Sequence, residues 1–315
     1  MFQPMSIKDI VIYGTGAIGS VLATFLQLSN AEGEKNIHLV GRASVLDSIK
    51  ENGLTFIPYQ ETNQQNWITT TGFNYYTNIQ QVPRADVIFC TMKAHSLQRS
   101  LEDAKDLLSS NPTVFITMNG LGLAEIVEKY LTREHIIECI VLFPSKLENN
   151  IVRNTGGNST IIAEKNEISK RLIPQLFKPD TLDIQLDKNC KQRQWQKAVM
   201  NIGMNAISAI TMKTVGEVLA TEPLRKIISQ LIQETILISQ KEGINLPEDM
   251  EEKFWDFCSK DPNHRPSTQQ DIKRGKPTET KFLNGYIVRK GKEYGFATPA
   301  SSSITTLMDI IEKKI

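Results

Sequence analysis

Short, largely apolar runs recur through the first half of the chain at residues 10–13 (IVIY), 37–40 (IHLV), 86–92 (DVIFCTM) and 113–118 (TVFITM). Runs of this kind suit strands buried on both faces, as in a parallel sheet covered by helices. Helical patterns lie among them at Ser20–Leu28, Leu123–Tyr130 and Ile168–Phe177, and further strand-like segments at His135–Phe143 and Asn158–Ala163. Residues 54–57 and 67–71 read as short strands within a polar insertion spanning 52–80. Near residue 188 the alternation of strand and helix stops. Residues 191–212, 224–241, 249–259 and 301–314 are all helical in pattern, and Pro and Gly residues between Arg265 and Pro299 bracket two short helices. The pattern predicts an α/β domain over residues 1–188 followed by an all-α domain over 189–315.

The junction between the first strand and the first helix carries Gly14-Thr15-Gly16-Ala17-Ile18-Gly19. A G-x-G-x-x-G that leaves a strand and opens a helix is the fingerprint of a dinucleotide site, which makes the α/β domain Rossmann-type. Gly14 allows a tight turn, Gly16 lets backbone approach a pyrophosphate, and Gly19 allows close helix–strand packing. The helix start then presents N–H groups and a positive dipole end to phosphate.

Ligands in such sheets sit outside the carboxyl ends of the strands. Three polar residues fall at strand ends of this kind: Arg42 after 37–40, Lys93 after 86–92, and Asn119 after 113–118. At the first position an acidic residue would bind the ribose 2′-hydroxyl of NAD, whereas an arginine suits the 2′-phosphate of NADP. The acid is missing and Arg42 is present, although a solvated loop arginine would look the same. Lys93 could equally be a surface lysine, and Asn119-Gly120 a hairpin turn. In the second half, Lys197, Asn201 and Asn205 recur every four residues among Trp195, Val199, Ile202 and Ile207. They therefore line one helix face over about 12 Å. A substrate could partner these polar groups; an exposed polar face is the other reading. Ser267 reads as a helix cap and not as a nucleophile.

Composition narrows the functions without choosing one. The 315 residues are 40% hydrophobic and 23% charged, and 36 basic against 35 acidic residues leave a net charge of +1. That balance gives no electrostatic reason to expect nucleic acid or an anionic membrane as partner. No apolar run approaches the roughly 18 residues of a bilayer span. The start, MFQPMSIKDI, lacks the apolar core of a signal peptide, and Met5 reads as an alternative start. Cys90, Cys139, Cys190 and Cys258 lie far apart and fit no metal or disulfide framework, so a reducing cytoplasm is expected. His38, His95, His135 and His264 show no spacing that suggests a metal site, and each reads as a surface or packing residue.

Taken together, the motifs resemble those of the ketopantoate reductase (2-dehydropantoate 2-reductase) family over nearly the whole chain. They are GTGAIG at 14–19, Arg42, TMKA at 91–94, NGLG at 119–122, WQKAVMNIGMNAISA at 195–209, STQQD at 267–271, GKPTETKFLNG at 275–285 and YGFATP at 294–299. The resemblance implies an N-terminal Rossmann domain, an all-α C-terminal domain, and NADPH-dependent reduction of a 2-oxo acid. It assigns Lys197 as general acid and Glu279 as the residue that holds that lysine and the substrate hydroxyl. It further implies Asn119, Asn201, Asn205 and Ser267 as substrate-binding residues. The cofactor would be held by Gly14, Thr15, Gly16, Ala17, Ile18, Gly19, Arg42, Lys93, Asn119 and Glu279. The chain departs from the family pattern at Val141-Leu142-Phe143-Pro144, at Lys281 and at Gln269-Gln270. Those departures leave the identity of the acid open. The expected function is reduction of ketopantoate to pantoate in pantothenate and coenzyme A synthesis, by a cytoplasmic monomer or homodimer. The alternatives are a different 2-oxo acid, or a non-catalytic sensor of NADP(H). Retention of both Lys197 and Glu279 favours an enzyme, because a sensor needs no proton donor.

Overall fold

The computed structural model of the chain describes residues 7–30, 33–179 and 181–314, so Met5, read above as an alternative start, lies outside them. Two compact units are present, Met1–Met118 with Leu123–Cys190, and Asn119–Gly122 with Lys191–Ile315. The tetrapeptide Asn119–Gly122 thus belongs with the helical unit, although its chain neighbours on both sides belong to the other.

The first unit carries β1 (Asp9–Tyr13), β2 (Asn36–Val40), β3 (Leu54–Ile57), β4 (Ile68–Thr70), β5 (Asn74–Tyr76) and β6 (Val87–Cys90). It continues with β7 (Thr113–Ile116), β8 (Ile136–Val141), β9 (Ser145–Glu148), β10 (Ile151–Asn154), β11 (Thr160–Glu164) and β12 (Asp183–Asp187). Among the described residues, eight strands form one sheet in the order β12-β11-β8-β7-β6-β1-β2-β5. Every pairing in it is parallel except β8 with β11. From β1 the chain moves to β2 on one side and later returns to β6 on the other, so the strand order reverses at β1. The crevice outside the carboxyl ends of strands at such a reversal is where open α/β sheets bind ligands. The central strands earn their apolar sequences: Ile10, Val11, Ile12, Val87, Val114 and Ile137 are all at most 1% exposed, as expected for strands covered on both faces.

The helix Ala17–Ser29 is buried at Gly19 through Leu26. A helix that is apolar nearly all round must be covered nearly all round. The cover is a second sheet in the order β4-β3-β10-β9, whose strands all pack on this helix. Phe25 of the helix meets Phe56 of β3 edge to face, with ring centroids 5.1 Å apart. Residues 52–80 are therefore no isolated insertion. Their first two strands join a hairpin some 90 residues later, with β3 running parallel to β10.

The helical unit contains Cys190–Thr211, Glu222–Lys241, Met250–Ser259, Ser267–Lys273, Asn284–Tyr294 and Pro299–Glu312 as its main helices. Trp195, Val199, Ile202, Ile228, Leu231, Phe254, Ile287 and Met308 form its separate core. Two helices approach closely where a Cβ on Gly203 would lie 2.6 Å from the Phe254 ring. Glu234 accepts from the N–H groups of Ala300 and Ser301, each at 2.8 Å, and so satisfies the start of the last helix. No helix among the described residues is long and apolar enough to cross a membrane.

Candidate active site

The glycine turn is pinned to both neighbours of β1. Gly14 and Thr15 donate their N–H groups to the Val40 carbonyl at 2.9 and 3.1 Å, and the Thr15 hydroxyl donates to the same oxygen at 3.2 Å. On the other side the Thr91 hydroxyl donates to the Gly14 carbonyl at 2.6 Å. Gly14 has φ +112, and a Cβ there would lie 2.6 Å from the Met92 nitrogen. A Cβ on Gly19 would lie 2.4 Å from the Gly14 carbonyl oxygen. Gly16 differs, because a Cβ there would meet only the Gly14 oxygen, at 3.9 Å. Among the described residues, chain neighbours aside, nothing else comes within 4 Å of that position, so the space in front of Gly16 is open.

Gly16 is the N-cap of the helix, with no side-chain cap and no acid in the first turn. The N–H groups of Ala17, Ile18 and Gly19 consequently lie in the first turn, where helix geometry supplies no intrahelical acceptor. This cradle fits a pyrophosphate: open space, outward N–H groups and a positive dipole end. Thr15 stands apart from its neighbours, since its N–H and hydroxyl are both engaged by Val40. Arg42 is exposed and N-caps the helix Ala43–Asn52, which likewise has no side-chain cap and no acid in its first turn. A second uncapped helix start, this one beside a guanidinium, suits a phosphate at the end of β2. Lys93 is exposed at the N-cap of the turn Ala94–Ser96, just past the end of β6.

The helical unit gathers the remaining candidates. Lys197, Asn201 and Asn205 share one face of Cys190–Thr211, and all three are half-buried. Desolvation pulls the Lys197 ammonium down to about 8, against the opposing pull of the Glu279 carboxylate. Glu279 is 7% exposed and precedes the single turn Thr280–Phe282. The Asn119 amide donates to Glu279 Oε2 at 3.4 Å, and Leu121 N–H donates to the Phe282 carbonyl at 2.8 Å. Asn119, Lys197 and Glu279 are thus linked through one carboxylate, although they lie far apart in the chain. The arrangement offers a half-desolvated ammonium, an acceptor beside it, and neutral amides along one helix face. Such a set can hold a small anion, stabilise a developing oxyanion and pass a proton to it.

Ser267 is exposed in the first turn of Ser267–Lys273, where Pro266 takes the N-cap position without a side-chain cap. The reading of Ser267 as a cap is therefore corrected: the backbone turns one residue earlier. Gln269, by contrast, is fully buried. Its amide donates to the carbonyls of Ser208 and Lys213 at 3.2 and 3.1 Å. It satisfies the end of the helix bearing Lys197, where Met212 adopts φ +58. Asn284 does similar work by donating to the Ile202 carbonyl at 3.2 Å. Neither role is visible in sequence, because each partner is a backbone carbonyl far away. His38 is a packing residue that hydrogen-bonds Asp9 Oδ1 at 3.1 Å, and no group of three or more potential metal ligands occurs among the described residues.

Two family models match the chain. The one described as Ketopantoate reductase PanE/ApbA covers residues 10–167, and Ketopantoate reductase PanE/ApbA C terminal covers residues 189–312. The 2-dehydropantoate 2-reductase of Streptococcus pyogenes serotype M3 is 27% identical over 305 residues, spanning 95% of this chain and 96% of the relative. Its counterpart from Lactococcus lactis subsp. lactis is 26% identical over 310 residues, again spanning 95% and 96%. In fold, the chain matches a PanE/ApbA family ketopantoate reductase from Ralstonia eutropha JMP134 with TM-score 0.84, 23% identity and coverage of 97% and 99%. D-mandelate dehydrogenase, solved with NADH and anilino(oxo)acetate, matches with TM-score 0.82, 26% identity and the same coverage. With both of its units matched in this way, the chain belongs to the ketopantoate reductase family of oxidoreductases.

Proposed function

We propose that this oxidoreductase reduces a 2-oxo acid with NADPH, and that 2-dehydropantoate, reduced to pantoate for pantothenate and coenzyme A synthesis, is the substrate. The observation that carries the reading is Lys197, drawn down to about 8 beside Glu279 on a face that also bears Asn201 and Asn205. When bound, NADPH supplies the hydride that reduces the carbonyl carbon. The protein's part is to manage charge. Lys197 is mostly protonated at neutral pH, so it can hydrogen-bond the carbonyl oxygen, stabilise the charge gathering there, and release its proton to it. Glu279 orients the lysine and accepts from Asn119. Asn201, Asn205 and Ser267 supply neutral donors for the carboxylate and hydroxyl groups of the substrate. The first-turn N–H groups of Ala17, Ile18 and Gly19 hold the pyrophosphate, while Arg42 and Lys93 hold the outer phosphate and the strand-end side of the cofactor.

A second reading, reduction of a bulkier 2-oxo acid, is favoured by the likeness to D-mandelate dehydrogenase. Following NADPH and NADH oxidation by absorbance against a panel of 2-oxo acids separates the readings. The proposal expects 2-dehydropantoate with NADPH to give the highest kcat/KM. A preference for an aryl 2-oxo acid would replace the substrate and leave the chemistry in place. No oxidation with any member would favour a protein that only binds NADP(H).

A further inference from the structure

Glu312 breaks a local rule. It is the last residue of the helix Pro299–Glu312, whose final turn contains no basic residue. A carboxylate at the negative end of a helix dipole is unfavourable; Lys313 at the C-cap offsets part of that cost, and a hydrogen-bond partner offsets more. The partner is Thr278, whose hydroxyl donates to Glu312 Oε1. Thr278 in turn lies 2.8 Å, hydroxyl to hydroxyl, from Thr280, and accepts from the Thr280 N–H at 3.2 Å. Thr278 and Thr280 are each 3% exposed and flank Glu279. The carboxylate at the end of the last helix therefore holds Thr278 directly and Thr280 through it, on either side of Glu279.

We propose that Glu312 is a positioning residue for Glu279, acting through Thr278. The inference rests on the proposed role of Glu279. The stretch before this turn, Gly275-Lys276-Pro277, is exposed, and only a single helical turn follows Glu279. Little regular structure is thus available to hold the carboxylate, and the side-chain hydrogen bonds supply what the backbone does not. A threonine–carboxylate bond is charge-assisted, which makes it one of the stronger side-chain contacts and a directional one. Freed of the clamp, Glu279 would lose its register on Lys197 and Asn119.

The test is steady-state kinetics with thermal melts on Glu312→Ala, Glu312→Gln, Thr278→Val, Thr278→Ser and Glu279→Gln. Glu312→Ala and Thr278→Val should lower kcat on the order of tenfold. They should also move the alkaline limb of kcat/KM to lower pH, because Glu279 is the group that holds the Lys197 ammonium up. Glu312→Gln keeps an acceptor and Thr278→Ser keeps the hydroxyl, so both should recover most of the loss. Adding Glu312→Ala to Glu279→Gln should cost nothing further, since the first acts through the second. A purely structural Glu312 would lower the melting temperature yet leave kcat and the pH limb unchanged, which would overturn the proposal. If Glu279→Gln is impaired and Glu312→Ala is normal, the clamp alone is refuted. If Glu279→Gln itself turns over normally, the role of Glu279 fails and the clamp fails with it.

Discussion

A lysine that is half-buried and drawn down to about 8 serves no packing purpose that an uncharged residue would not serve better. At Lys197 the opposing Glu279 charge keeps the ammonium form available at neutral pH, which is what a proton donor requires. Arg42 makes a comparable argument from position. It occupies the N-cap position of a helix that has no side-chain cap and no acid in its first turn, so an added phosphate meets donors and no repulsion. Arg42→Ala should therefore weaken NADPH binding by tenfold or more while changing NADH binding little, the scale expected for a lost charge-assisted contact. Titration of both cofactors by fluorescence checks this, and equal losses would refute it. Residues of this kind differ in how legible they were. Lys197, Asn201 and Asn205 could be read because helical spacing projects them onto one face. Arg42, Lys93 and Asn119 could be read because strand ends mark the ligand side of a parallel sheet. Glu279 had no such signal, since it lies in an irregular Pro- and Gly-containing stretch, and only the family resemblance pointed to it. Gln269 looked like a departure from the family pattern, yet it is a buried anchor for the helix that carries Lys197.

At the scale of elements, the turn after β1 separates folding from binding within six residues. A methyl on Gly19 would collide with the Gly14 carbonyl at 2.4 Å, whereas a methyl on Gly16 meets nothing of the protein closer than 3.9 Å. The backbone of Gly16, φ −99 and ψ −163, is one that alanine adopts without strain. Gly19→Ala should lower stability by about 1–3 kcal/mol through overpacking. Gly16→Ala should leave the melting temperature nearly unchanged and yet lose most NADPH affinity, because the methyl fills the space a pyrophosphate needs. Thermal melts paired with cofactor titration read both effects; a Gly16→Ala protein with normal affinity would remove the cradle from the account. The six inner strands of the main sheet were legible as largely apolar runs, and the helix after the turn as an apolar-rich stretch, whereas the short polar edge strands β5 and β12 were not. The four-stranded second sheet was not. Its hairpin reads SKLE-NN-IVRN, with Lys146, Glu148 and Arg153 exposed, and its partner β3 is some 90 residues upstream. Short strands with charged faces and long-range pairing leave little local periodicity. The apolar girdle of the helix Ala17–Ser29 was the signal that something must cover its outer side.

Among the described residues, the two large hydrophobic cores divide the labour. One lies under the glycine-rich turn after β1, and the other holds the helix bearing Lys197. The change from alternating strand and helix to helix alone near residue 188 was plain in the sequence. The placement of Asn119–Gly122 with the helical unit was not, because it depends on contacts with residues 279–289 that no local pattern encodes. The account as a whole rests on Lys197 delivering the proton. The most direct measurement is kcat/KM for 2-dehydropantoate across pH, for the parent protein beside Lys197→Ala, with NADPH binding followed in parallel. A proton donor must enter protonated. The parent should therefore hold its activity below a pH of about 8 and lose it as pH rises through that value. Lys197→Ala should bind NADPH normally, turn over slower by a factor on the order of 10² or more, and show no such limb. Near-parental turnover in Lys197→Ala with its best substrate, or an alkaline limb that survives the substitution, would contradict the account.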